Sequence, residues 1–122
     1  MLDHVTLPVA NFTRAKAFYD AALRPLGITH LYSDGESFAG YGIEEKAFFW
    51  IGASSAPITG VHLAFTALDR ATVDEFHQAS LGHGGRDNGK PGLRPHYHEH
   101  YYGAFVLDPD GHNIEAVCHL TT

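Results

Sequence analysis

The chain has a single cysteine, Cys118, so no disulfide can form within it. A reducing compartment, the cytoplasm, is the expected setting. Basic residues are also few. Eight Lys and Arg against fourteen Asp and Glu leave a formal net charge of −6, and the cations are scattered without a run. That excludes nucleic acid or an anionic membrane as the main partner, since both call for basic patches. No apolar stretch approaches the roughly 20 residues of a spanning helix. The amino terminus, Met1-Leu2-Asp3-His4, lacks the basic-then-apolar order of a signal peptide. What is abundant is histidine, ten residues in 122. Hydrophobic content of 44% and charged content of 18% describe an ordinary soluble globular protein. The length suits one domain, residues 1–122.

That domain repeats itself. A shift of 58 positions lays Asp3-His4-Val5-Thr6-Leu7 over Val61-His62-Leu63-Ala64-Phe65. It also lays Phe18 over Phe76, Leu23 over Leu81 and Gly27 over Gly85. A repeat constrains architecture before any residue is interpreted. Here it also singles out His4 and His62 among the ten histidines.

Each half reads in the same order. Residues 3–9 alternate, with Val5, Leu7 and Val9 on one face and His4, Thr6 and Pro8 on the other, the period of a half-buried strand. A helix follows, capped by Asn11 or Thr13, with Ala15, Phe18, Tyr19, Ala22 and Leu23 at helical spacing. Arg24-Pro25-Leu26-Gly27 ends it. Short strands are predicted near 28–32, 37–43 and 47–52, with turns at Ser33–Glu36 and Glu44–Lys46. In the second half residues 61–66 alternate again. Thr72 and Glu75 are spaced as a capping box for a helix carrying Val73, Phe76 and Leu81, and Gly82-His83-Gly84-Gly85 stops it. Strands 102–107 and 113–119 flank Asp108-Pro109-Asp110-Gly111, which has the residues of a type I turn. Residues 86–100 are too rich in glycine, proline and histidine to assign. The expected class is α+β, with module 1 about 1–53 and module 2 about 58–122, each β-α-β-β-β. The linker 53–57 is small and flexible, long enough for a turn or for exchange between two chains.

Alternation decides which side chains meet. With Val5 and Leu7 under the first helix, His4 and Thr6 face the other side of the sheet, and His62 does the same in the second half. On the last strand Ile114, Ala116 and Cys118 form the helix-facing row, so Glu115, Val117 and His119 face the cleft. Two imidazoles and a carboxylate on facing strands suit a first-row divalent metal with positions left open for water or substrate. Taken singly, each of the three reads as an ordinary sheet residue; the repeat relating the two histidines favours ligation. His96-Tyr97-His98-Glu99-His100-Tyr101-Tyr102 reads equally as an exposed loop or as a rim offering an acid–base histidine and aromatic walls. Cys118 and His119 point to opposite faces of one strand and form no nucleophile–base pair.

Leu2-Asp3-His4-Val5 with Phe18-Tyr19, Gly60-Val61-His62-Leu63-Ala64-Phe65, and Asp108-Pro109-Asp110-Gly111-His112-Asn113-Ile114-Glu115 resemble the glyoxalase / bleomycin-resistance / extradiol-dioxygenase (vicinal oxygen chelate) superfamily over essentially the whole chain. The resemblance implies paired βαβββ modules forming a cup-shaped curved mixed sheet with helices outside, commonly in homodimers. It implies His4, His62 and Glu115 as ligands of one divalent ion, Fe, Zn, Ni, Mn or Mg. A fourth, acidic ligand of glyoxalase I–like members is replaced here by Trp50, so three ligands are expected. Phe105 stands where the dioxygenase pattern has tyrosine, and His96 or His98 could serve as its histidine. The implied function is a metal-dependent enzyme acting on a small oxygen-chelating substrate, by lyase or isomerase, ring-cleavage or thiol-transfer chemistry. Glu115 and His98 are the candidate catalytic residues; Thr6, Trp50, His96, Tyr102 and Phe105 are the candidate pocket. The alternative is a metal-free drug-binding protein of the bleomycin-resistance type.

Overall fold

A computed structural model describes residues 2–121. Strands β1 (Val5–Val9), β2 (Thr29–Ser33), β3 (Phe38–Ile43) and β4 (Lys46–Ala53) form one mixed sheet in the order β1-β4-β3-β2. Strands β5 (His62–Thr66), β6 (Arg86–Leu93), β7 (Tyr102–Leu107) and β8 (Asn113–Cys118) form a second in the order β5-β8-β7-β6. In each, the first strand pairs parallel with the fourth and the other pairings are antiparallel. With α1 (Phe12–Ala22) and α2 (Arg70–Leu81) the chain is α+β, two βαβββ modules.

The elements follow from local chemistry. Asn11 caps α1 by accepting from the Arg14 N–H at 3.0 Å. Phe12, Ala15, Phe18, Tyr19 and Ala22 give α1 one buried face. The α2 cap differs from the expected Thr72–Glu75 box. Asp69 is the cap, accepting from both the backbone N–H and the hydroxyl of Thr72 at 2.8 Å. The Asp69 carboxylate takes the Thr72 N–H and hydroxyl together, which leaves Thr72 inside the helix, and the helix starts three residues sooner. The unassigned segment 86–100 contains the missing strand, β6. Gly89, Pro91 and Gly92 erase its alternation, and its pairing with β7 shifts register between Asp87 and Gly89 and again between Gly89 and Gly92.

Both helices and both sheets contribute to one contiguous apolar core, from Leu7, Phe18 and Ile51 to Phe76, Val106 and Ile114. Polar bonds join the modules beside it. The Tyr19 hydroxyl on α1 donates to Asp108 Oδ2 at 2.5 Å, and both groups are buried. Asp108 Oδ1 accepts the N–H of Asp110 and of His112. Ala10 N–H donates to Asp110 Oδ1 at 2.9 Å, and Arg14 reaches the Pro109 carbonyl. The Asp-Pro-Asp-Gly turn therefore docks on the first turn of α1.

Burial, then the Asp108 charge and hydrogen bond, raise the Tyr19 phenol well above the usual tyrosine range. A raised folded-state pKa adds stability in full below the unfolded value, about 10, and loses it as pH climbs toward the folded value. Tyr19→Phe is expected to cost about 1–3 kcal/mol at neutral pH by leaving Asp108 Oδ2 unpaired. It should also flatten the alkaline fall in stability above about pH 10, read from denaturant unfolding.

Candidate functional site

Strand register positions the site. In the second sheet Ala64 stands opposite Glu115 across the parallel β5–β8 pair, and Phe105 stands opposite Glu115 across β7–β8. Side chains facing each other in register share a sheet face. His62, Phe105 and Glu115 therefore meet on the face away from α2. His62 Nε2 lies 2.8 Å from Glu115 Oε1, with the carboxylate 1% exposed and the imidazole open to solvent. The second carboxylate oxygen accepts from the hydroxyl of Tyr101. Burial, then this hydrogen bond, pushes the Tyr101 phenol above its usual range, so it is a donor at neutral pH. The Phe105 ring lies 6.1 Å from the His62 ring, and the Arg94 guanidinium sits 5.5 Å from the Phe105 centroid.

The first sheet carries the matching but altered position. Thr6 stands opposite Trp50, as its repeat mate Ala64 stands opposite Glu115. Trp50 thus occupies the place of Glu115 in module 1. Its ring lies flat over Gly40, where an added Cβ would come within 2.6 Å of the indole. Tyr32 stacks on it at 6.1 Å and 10°, and Phe38 lies at 6.1 Å. Sequence reasoning missed Tyr32 and Phe38, although their alternation on β2 and β3 was the available signal. A cavity of about 350 Å³ is lined by Thr6, Phe38, Lys46 and Trp50 together with His4.

His4 does not lie on β1 as expected but in the segment leading into it, hydrogen-bonded through Nδ1 to Asp3 at 2.8 Å. Lys46 also holds Asp3, at 2.7 Å. Within one chain His4 does not join His62 and Glu115. Among the described residues no group of three His, Cys, Asp or Glu side chains is placed to hold a metal ion. His96 and His98 are exposed in the turn after β6. His98 packs edge-on to His119 at 5.7 Å and does not touch Glu115. Tyr102 leaves the cleft: it pairs with Cys118 in the helix-facing row and donates to Asp74 on α2 at 2.7 Å. The residue that reaches Glu115 is its neighbour Tyr101, outside the regular strand.

The sequence profile of the Glyoxalase/Bleomycin resistance protein/Dioxygenase superfamily matches residues 1–116. The chain belongs to this superfamily. A glyoxalase/bleomycin resistance protein from Albidiferax ferrireducens T118 is 31% identical, with 98% of this chain and 99% of that one covered at a TM-score of 0.83. A glyoxalase/bleomycin resistance protein/dioxygenase family enzyme from Burkholderia phytofirmans PsJN shares the fold at 18% identity, 97% and 98% coverage and a TM-score of 0.73. The V278E glyoxalase I mutant from Zea mays shares it at 21% identity, 95% of this chain, 45% of that one and a TM-score of 0.68. No curated protein matches the chain. Among the described residues no helix is long and apolar enough to cross a membrane.

Trp50 is the only tryptophan, so its emission reports on this position alone. Gly40→Ala is expected to lift the indole off the sheet and shift its emission to the red, with far-ultraviolet dichroism unchanged. An unchanged spectrum would show that the ring does not lie on Gly40.

Proposed function

We propose that the protein is a divalent-metal-dependent enzyme acting on a small substrate with vicinal oxygens, its site closed by two copies of the chain. The observation supporting this is the His62–Glu115 pair. A carboxylate 1% exposed has, among the described residues, no ion-pair partner but an imidazole. Buried carboxylates are paired or bind metal. Nitrogen and oxygen 2.8 Å apart are spaced much like neighbouring ligands of one ion, about 3 Å for bonds near 2.1 Å at right angles. The donor set, two imidazoles and a carboxylate, fits iron, zinc, nickel or manganese better than magnesium, which prefers oxygen. A bound ion would act as a Lewis acid on the substrate's oxygens.

The missing third donor supports the homodimer. β1 and β5 are both edge strands, and His62, Ala64 and Thr66 along β5 are exposed. An exposed edge strand invites pairing with another chain. A second copy laying its β1 beside β5 would bring its His4 toward His62 and Glu115, and its Trp50, Thr6 and Phe38 opposite Phe105. Substrate would then lie between an aromatic wall from one chain and the ligand pair of the other. His96 and His98 would stand at the rim, with no contact to Glu115. The cytoplasm, suggested by the lone buried Cys118, remains the proposed location.

A second reading, metal-free binding of a small molecule in the same cup, is favoured by one observation: His4 is engaged by Asp3 within its own chain. Metal analysis of untagged protein separates the two. One divalent ion per chain is expected, lost in His62→Ala, Glu115→Ala and His4→Ala. Neither the His4→Ala nor the Glu115→Ala homodimer should bind metal, whereas a mixed dimer of the two should regain one of its two sites. Substoichiometric metal that none of these substitutions changes would sink the enzyme reading. Failure of the mixed dimer alone would sink the shared site.

A further inference from the structure

The histidine- and tyrosine-rich stretch 94–101 stands outside the regular strands, and its conformation has one consequence for the proposed centre. After β6 the chain turns back on itself through backbone bonds. Arg94 N–H donates to the Tyr101 carbonyl at 2.7 Å, and Tyr97 N–H to the Arg94 carbonyl at 2.9 Å. Tyr101 N–H donates in turn to the His98 carbonyl at 3.3 Å. The loop is thereby pinched shut at its base, and Tyr101 is fixed at the entrance to β7.

Its ring is held on two sides. Tyr97 packs against it at 5.1 Å and 72°, and His119 meets it edge-on at 5.3 Å and 89°. His98 braces His119 from behind. The ring then passes over Gly103, where an added Cβ would stand 3.1 Å from Tyr101 Cε1 and 3.4 Å from Glu115 Oε2. A side chain here would press the Tyr101 ring to give way by a few tenths of an ångström. At its end the Tyr101 hydroxyl meets the carboxylate oxygen that His62 does not use.

We propose that the 94–101 loop acts through Tyr101 as a positioning device for Glu115, and that Gly103 is the gap that lets it do so. This rests on the metal reading of His62 and Glu115. A carboxylate offers two oxygens, and a buried one can rotate to face either. With Tyr101 donating to one, the other is turned toward His62 and held for the ion. Groups that orient a ligand from behind govern metal affinity, typically by about 10–100-fold when removed. The histidines of the loop then have a packing task, which is why neither His96 nor His98 needs to reach the cleft.

The experiment is titration of the metal-free protein with Co²⁺, followed by its visible absorption, in wild type, Tyr101→Phe, Gly103→Ala and the double variant. Phenylalanine keeps the ring and its packing but leaves Glu115 Oε2 without its donor, so the unfolding midpoint of the metal-free protein should fall. The titrations are run well below that midpoint, where every variant is folded by far-ultraviolet dichroism. Co²⁺ affinity is expected to fall about 10–100-fold in Tyr101→Phe, with an altered ligand-field spectrum. Gly103→Ala should fall similarly by displacing the ring. The double variant should lose no more than either single one, because both remove the same contact. Equal affinity and spectrum in wild type and Tyr101→Phe would overturn the positioning role while leaving the metal site standing. Additive losses in the double variant would overturn the part assigned to Gly103. A wild-type protein that takes up no Co²⁺ would overturn the metal reading itself, and this role with it.

Discussion

Asp108 is the group on which the rest of the second module hangs. Its carboxylate is buried, and removing a charge from water is tolerated only where hydrogen bonds replace the lost hydration. Three donors do so: the Tyr19 hydroxyl and the N–H groups of Asp110 and His112. The first comes from the other module, so satisfying Asp108 fixes α1 against the turn before β8. The last passes the constraint onward. His112, fully buried, accepts the Val61 N–H through Nδ1, and Asn113 N–H donates to the Val61 carbonyl. Val61 is the residue before β5. The start of β5 and the start of β8 are thus locked side by side, and the parallel register that follows carries His62 to Glu115.

The same register exposes how the repeat has diverged. A structural repeat supplies equivalent backbone places, and what each place does depends on the side chain put there. Ala64–Glu115 and Thr6–Trp50 are equivalent pairs across equivalent strands. Gly40 and Phe105 are likewise equivalent, each facing that position from the neighbouring strand. In module 2 a carboxylate is walled by a phenyl ring. In module 1 an indole lies down on a glycine. The exchange of large for small on the neighbouring strand is what lets the larger group fit, as close packing demands. One module has become the acidic half of the proposed centre and the other its aromatic wall.

Much of this was legible in the sequence because alternation and repetition are strong signals. The face shared by His62 and Glu115 and the helix stripes follow from period, the turn at Asp108–Gly111 from its residue types, and the correspondence of Trp50 with Glu115 from the family resemblance. The departures have physical causes. β6 was hidden because its glycines and proline break the period that identifies a strand, and its pairing slips twice. Neighbourhood alone puts Tyr102 at the pocket, whereas its parity with Cys118 sends it to the helices. Tyr101 could not be found at all by periodicity, since it lies outside the strand and reaches Glu115 through a gap at Gly103. His4 satisfied the pattern of a strand residue, yet in the chain it precedes β1 and turns to Asp3.

The two sides of Glu115 explain why a buried acid persists on this strand. Left alone, a carboxylate so shielded would destabilise the sheet by its lost hydration. His62 and Tyr101 each relieve one oxygen, from opposite directions and from different elements. They differ in what they leave available: the Tyr101 hydroxyl is confined between Tyr97, His119 and Gly103, whereas the imidazole is open to solvent. In the proposed metal centre, a cation arriving from the exposed side would replace the His62–Glu115 hydrogen bond and leave the bond behind it in place. The pair is thus open to solvent on the His62 side and packed on the Tyr101 side.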